Sequence, residues 1–82
     1  MIKYFVYVLR SEVNGRLYTG SAVDPDLRLE QHNTGKSKYT KSTRPFKLVY
    51  KEEYNTRSDA VRRERFLKTG KGREFLKKKL GS

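Results

Sequence analysis

Apolar side chains fall on both parities at the start of the chain. Ile2, Tyr4, Val6 and Val8 fill one face of an extended strand, and Phe5, Tyr7 and Leu9 fill most of the other. A strand apolar on both faces is usually covered on both, so this one is expected at the centre of a sheet. A polar stretch with Asn14-Gly15, a strong short-range hairpin signal, turns the chain into a second arm that ends near Ala22. Asp24-Pro25-Asp26 then reads as a helix start: Asp24 as N-cap, Pro25 at the first helical position, Asp26 favourable to the dipole. That helix is expected to run to about Asn33, stop at Gly35, and hold on by Leu27 and Leu29 alone.

Thr34 to Pro45 is loop chemistry. From Phe46 to Tyr54 a third strand is predicted, with Phe46, Leu48 and Tyr50 alternating against Lys47, Val49 and Lys51. Thr56-Arg57-Ser58-Asp59 resembles a capping box opening a helix that reaches about Lys68 and ends at Thr69-Gly70. At 100° per residue Ala60, Glu64 and Leu67 share one stripe, which Val61 extends; Phe66 lies off it and must pack elsewhere. A last segment, Gly72 to Leu80, packs Phe75, Leu76 and Leu80 while Lys77, Lys78 and Lys79 stay in water. The element order is β-β-α-β-α-α, an α+β protein.

Composition narrows the class. Residues 1–82 suit one domain, near the size at which a single core is just sufficient. There is no cysteine, so neither a disulfide nor a thiolate metal site is available. The amino-terminal apolar run is too short for a signal peptide or a membrane span, which makes a soluble, cytoplasmic protein the expectation. Twenty Lys and Arg against nine Asp and Glu give a net charge of +11, which points to a polyanionic partner. No basic amphipathic helix has a broad apolar face, so nucleic acid is favoured over a membrane surface. No small-molecule substrate is expected. Aromatics interleave with the charges, as in a folded basic domain and unlike a disordered tail.

Several residues invite a chemical reading beside a structural one. Tyr7 and Tyr18 suit packing in strands. Arg28 and His32 lie four apart on one helical face, for which a solvated charged helix is the favoured account when either is taken alone. Within the loop, Lys36, Lys38, Lys41 and Arg44 surround Tyr39, a set suited to a phosphate backbone with a base stacked on the ring; a flexible solvated loop is the alternative. Glu64 is the one carboxylate on an inward face, where it either pairs with an arginine such as Arg28 or holds a divalent cation.

The ordered set Tyr7, Tyr18-Thr19-Gly20, Arg28, His32 and Glu64 resembles the GIY-YIG nuclease domain family, over the stretch from Tyr4 to about Leu76. LYTG, HNTGKSKYT, RPFKLVY and RRERFLK carry the likeness, which is greatest to the small single-domain bacterial group similar to Slx-type nucleases and the excinuclease C amino-terminal domain. The resemblance implies a three-stranded antiparallel sheet flanked by helices, and hydrolysis of a DNA phosphodiester with one divalent cation, Mg²⁺ or Mn²⁺, as in repair or recombination. DNA is implied ahead of RNA. It matches Tyr7 and Tyr18 to the motif tyrosines, Arg28 to the catalytic arginine, Glu64 to the metal-binding glutamate, and His32 to the position four after the arginine. Tyr7 is the implied general base, with His32 able to share or orient that role. The first motif reads Phe5-Val6-Tyr7, keeping the tyrosine and losing the glycine; Ser21 stands where some members carry a lysine. A nucleic-acid-binding module that has lost catalysis is the rival reading.

Overall fold

The computed structural model describes residues 2–35 and 41–81. In it β1 (Tyr4–Ser11) is the middle strand of a sheet ordered β2-β1-β3, with β2 (Leu17–Ala22) and β3 (Phe46–Tyr54) both antiparallel to it. The two-faced apolar pattern of β1 explains this place. Val6 and Val8 are buried with Ala60, Leu67 and Leu76 on the face covered by α2 (Arg57–Leu67) and α3 (Gly70–Leu80). Tyr7 and Leu9 are buried with Phe46 on the other face, where Leu29 of α1 (Pro25–Asn33) packs against them. Full burial of each such aliphatic side chain contributes roughly 1.5–3 kcal/mol, so exposing either face would cost much of the stability of a domain this small. Ile2 is largely exposed and adds little.

The hairpin is wider than a two-residue turn. Gly15 sits at φ 76° while Asn14 keeps a negative φ, so the backbone is not a type I′ turn. Instead Ser11 and Gly15 bond across the loop, Ser11 N–H to the Arg16 carbonyl and Gly15 N–H to the Ser11 carbonyl, both at 2.9 Å. Asn14 Oδ1 accepts the Arg16 N–H at 2.9 Å, the side-chain closure that suits asparagine to turns.

The helix caps fall where the side chains predict. Asp24 Oδ1 accepts the Leu27 N–H at 3.1 Å, with Pro25 opening α1, and Thr56 Oγ1 accepts the Asp59 N–H at 3.1 Å. Leu27, expected as an anchor, is nearly half exposed; Pro25 and His32 supply the buried face of α1 instead. Thr69 serves two helices. Its hydroxyl donates to the Phe66 carbonyl at 2.6 Å and accepts the Gly72 N–H at 3.2 Å, so α3 starts at Gly70, two residues before the position expected. Gly72 is required at this corner, since a Cβ there would sit 2.1 Å from the Phe66 carbonyl oxygen. The loop after α1 is pinned at both ends. Asn33 accepts the Phe46 N–H at 2.6 Å and donates to its carbonyl at 3.1 Å, and Ser11 Oγ donates to the Thr43 carbonyl at 2.6 Å.

The third strand departs from simple alternation. A register shift between Val8 and Leu9 pairs Val8 with Tyr50 but Leu9 with Leu48, leaving Val49 as the extra residue of a bulge. Phe46 and Leu48 therefore face α1, while Tyr50 turns to the α2–α3 side, not the shared face the alternation predicted. The bulge builds a polar cluster there. Both tyrosine hydroxyls, of Tyr50 and of Tyr54, donate to the Glu52 carboxylate, the second at 2.6 Å, and Arg63 grips it through Nε at 3.0 Å and an Nη at 3.2 Å. The Arg63 guanidinium also lies 4.9 Å from the rings of Phe66 and Phe75, which gives the off-stripe Phe66 its packing. Among the described residues no helix is long and apolar enough to cross a membrane.

Candidate active site

β2 is an edge strand, and the candidate residues gather along it from both faces of the sheet. Tyr7 stands opposite Gly20 in the β1–β2 register. Its ring lies directly on that glycine: a Cβ at position 20 would be 2.6 Å from the Tyr7 hydroxyl and 2.8 Å from Cζ. Glycine is thus what lets a buried phenol on the central strand reach the sheet edge. The motif stretch Tyr18-Thr19-Gly20 gave no role to the glycine by itself; only the register supplies one.

Tyr7 is 3% exposed. Burial, and after it the neighbouring Tyr18, push its phenol up to about 12, with Arg28 opposing the rise and Glu64 adding to it. Those groups come from β2, α1 and α2, so one hydroxyl feels all three elements. Tyr18 packs its ring 4.6 Å from that of His32, which in turn lies 6.0 Å from Phe46. His32 is 5% exposed, so the solvated reading of its helical face fails for it, while Arg28, one turn earlier, is exposed. Burial and then the Arg28 charge lower the His32 imidazole below its ordinary value, which keeps it neutral at pH 7.

Glu64 approaches from the opposite face. Ser21 Oγ donates to Oε1 at 2.7 Å and the Lys68 ammonium to Oε2 at 2.8 Å. Burial pushes the Glu64 carboxyl up, but the Lys68 and Ser21 hydrogen bonds outweigh it and hold it below the usual carboxylate range. The expected arginine partner is corrected here: Glu64 is bonded to Lys68 one turn on and to Ser21, not to Arg28. The i, i+4 spacing from Glu64 to Lys68 was visible in the sequence; the Ser21 contact, across 43 positions, was not.

Among the described residues no three His, Cys, Asp or Glu side chains cluster as a metal site. The donor chemistry at Glu64 still suits one hard cation. A half-buried carboxylate already carries a positive charge on one oxygen and a hydroxyl on the other, and Mg²⁺ or Mn²⁺ commonly takes one carboxylate with waters and phosphate oxygens completing its shell. Of the residues expected in the loop to bind nucleic acid, Lys36, Lys38 and Tyr39 lie outside the described residues, as does the side chain of Lys41. Arg44 is exposed beside Pro45.

The family model described as GIY-YIG catalytic domain matches residues 3–79. A UPF0213 protein of Staphylococcus epidermidis is 47% identical over 78 residues, covering 94% of each chain. A UPF0213 protein of Staphylococcus aureus is 49% identical over 70 residues, covering 84% of each. Among solved structures, the solution NMR structure of a UPF0213 protein from Bacillus halodurans matches with a TM-score of 0.55 and 34% identity, over 90% of this chain and 81% of that one.

Proposed function

The chain belongs to the GIY-YIG catalytic domain family, and from that premise we propose that it is a cytoplasmic endonuclease hydrolysing phosphodiester bonds in DNA, with repair or recombination intermediates as substrates. The observation that supports this most is the meeting of Tyr7 and Glu64 at adjacent residues of β2, the phenol against Gly20 and the carboxylate bonded to Ser21.

Each side chain has work that suits its setting. Arg28, exposed on α1, offers a planar fork to the scissile phosphate and offsets the charge that grows on it. Glu64 would hold one Mg²⁺ or Mn²⁺ by a carboxylate oxygen, in the place where Lys68 now donates. When bound, such an ion neutralises charge at the phosphate and at the departing 3′ oxygen. In the hydrolysis itself, the water oxygen bonds to phosphorus as the bond to the 3′ oxygen breaks. The water loses a proton to the small fraction of Tyr7 present as phenolate, and the 3′ oxygen takes one from solvent. With its pKa near 12, Tyr7 is protonated at neutral pH. Burial is the largest cause of that rise and Glu64 the smallest, so neutralising Glu64 would relieve only a small part of it, beside the Arg28 charge that already opposes it. His32, neutral and buried against Tyr18, positions that ring and serves the chemistry through it.

The test is a panel of branched, nicked, flapped and single-stranded DNA substrates incubated with and without Mn²⁺. Cleavage that requires the metal supports the reading. Binding to the panel without cleavage under either condition overturns it, in favour of a nucleic-acid-binding module.

A further inference from the structure

The ion pairs among the described residues are Arg62–Asp59, Arg63–Glu52 and Lys68–Glu64, and two further arginines, Arg16 and Arg73, point into one open groove. The groove runs along the outer side of β2, between the hairpin and the α2–α3 corner, and has a volume of about 680 Å³. Leu17 and Tyr18 wall it with apolar surface above the buried Leu76, and Arg16, Lys68 and Arg73 supply the charge; among the described residues no carboxylate lines it. Two of these residues join it to the candidate active site. Lys68 bonds Glu64, and Tyr18 stacks near His32.

We propose that this groove holds a single, unpaired nucleic-acid strand and leads it to Glu64 and Tyr7. The inference deepens the endonuclease reading and rests on it for its direction. Arg16 and Arg73, with Lys68 shared between the groove and Glu64, match a phosphate backbone, while the apolar wall accepts base faces. A cavity of this size is of the order that holds a small molecule, enough for a few nucleotides of one strand and too small for a duplex. The register sets the path. Along β2, Ser21 is at the Glu64 end and Arg16 at the far end, about 17 Å apart at roughly 3.3 Å per residue. The strand therefore enters past Arg16 and Arg73, meets Lys68, and arrives beside Glu64. Lys68 is the pivot: a phosphate in the groove and a cation at Glu64 compete for and against the same ammonium. Flaps and single-stranded ends, which present unpaired strand, are the substrates that fit.

The experiment compares R16A/R73A with K77A/K78A, which removes the same charge from exposed positions of α3 outside the groove. Fluorescence anisotropy with a single-stranded DNA oligonucleotide is read from 0.1 to 1 M salt, beside cleavage of a flapped substrate. Each phosphate contact on a single strand contributes about 0.7 to the slope of log K against log salt. The groove variant should lose about 1.4 from that slope and bind about 25-fold more weakly at 0.1 M salt, with an unchanged melting temperature. K77A/K78A should bind within about twofold of wild type. Equal losses in both variants, or none in R16A/R73A, overturn the groove assignment while leaving cleavage by wild type, and so the endonuclease reading, intact. Loss in R16A/R73A from a wild type that never cleaves supports the groove and removes the endonuclease.

Discussion

Gly20→Ala tests the contact on which the site is built, and two effects of opposite sign compete in it. Alanine ordinarily suits a strand better than glycine by roughly 0.5–1 kcal/mol, through lower backbone entropy in the unfolded chain. Here the new Cβ would meet the Tyr7 hydroxyl at 2.6 Å and its Cζ at 2.8 Å, about 1 Å inside ordinary van der Waals contact. Tyr7 has no easy retreat, because its ring is buried with Leu9 and Phe46 on the α1 face. Overpacking of this kind costs about 1–3 kcal/mol, so the net effect is destabilising. The difference, about 1 kcal/mol near the middle of both ranges, lowers the melting temperature of a domain of this length by roughly 4–8 °C. The assay is thermal and urea unfolding of Gly20→Ala, Tyr7→Phe and the double variant. Removing the hydroxyl deletes the nearest clashing atom but leaves Cζ, so Tyr7→Phe should recover only part of the loss, a coupling the double-mutant cycle measures directly. Gly70→Ala, where a Cβ meets nothing within 4 Å, should leave stability nearly unchanged. A Gly20→Ala protein as stable as wild type, or more so, would refute the placement of Tyr7 over β2.

Glu52→Gln should destabilise by about 2–3 kcal/mol, less than the 3–5 of a fully buried pair because both Glu52 and Arg63 keep some contact with water. Burial raises the Glu52 carboxyl, but the hydrogen bonds from Arg63, Tyr50 and Tyr54 prevail and hold it below 4.5. Its contribution is therefore present above pH 4.5 and lost as the pH falls through the lower folded-state value, so an acid titration of stability should be flatter in Glu52→Gln than in wild type over that range. In the loop, Tyr39→Ala should weaken binding of single-stranded DNA by about 1–3 kcal/mol, the worth of one stacked base, with little change in melting temperature. An unchanged affinity by anisotropy would remove Tyr39 from the interface.

Local chemistry carried most of the fold. The two-faced apolar run placed β1 at the sheet centre, and Asp24-Pro25 and Thr56 marked their helix starts, because strand parity and N-caps are decided by neighbours in the chain. What escaped depends on distant register. The bulge at Val49 turns Tyr50 to the α2–α3 side, where it joins Tyr54 around Glu52, and nothing in the sequence Phe46 to Tyr54 marks where that strand slips. His32 reads as a surface residue until Tyr18 and Phe46 are brought against it from two strands. For the candidate site, Tyr7, Arg28 and Glu64 were legible as an ordered set, whereas Gly20 beneath Tyr7 and Ser21 on Glu64 follow from pairing and packing across the sheet.

The most direct measurement is the melting temperature of wild type and Glu64→Gln, each with and without Mn²⁺, read beside cleavage. Without metal the two should melt within a few degrees. The amide oxygen keeps an acceptor for Ser21, and the lost i, i+4 pair joins a half-exposed Lys68 to a half-buried carboxylate, worth about 1 kcal/mol at most. A cation that binds only the folded state adds RT ln(1 + [M]/Kd), about 2.7 kcal/mol at a hundredfold excess over Kd, or roughly 10–20 °C here. Wild type should gain that rise and cut DNA; Glu64→Gln should do neither while still binding DNA. A Glu64→Gln protein that is as stable as wild type, responds equally to Mn²⁺ and still cuts would contradict the assignment of Glu64 and the mechanism built on it.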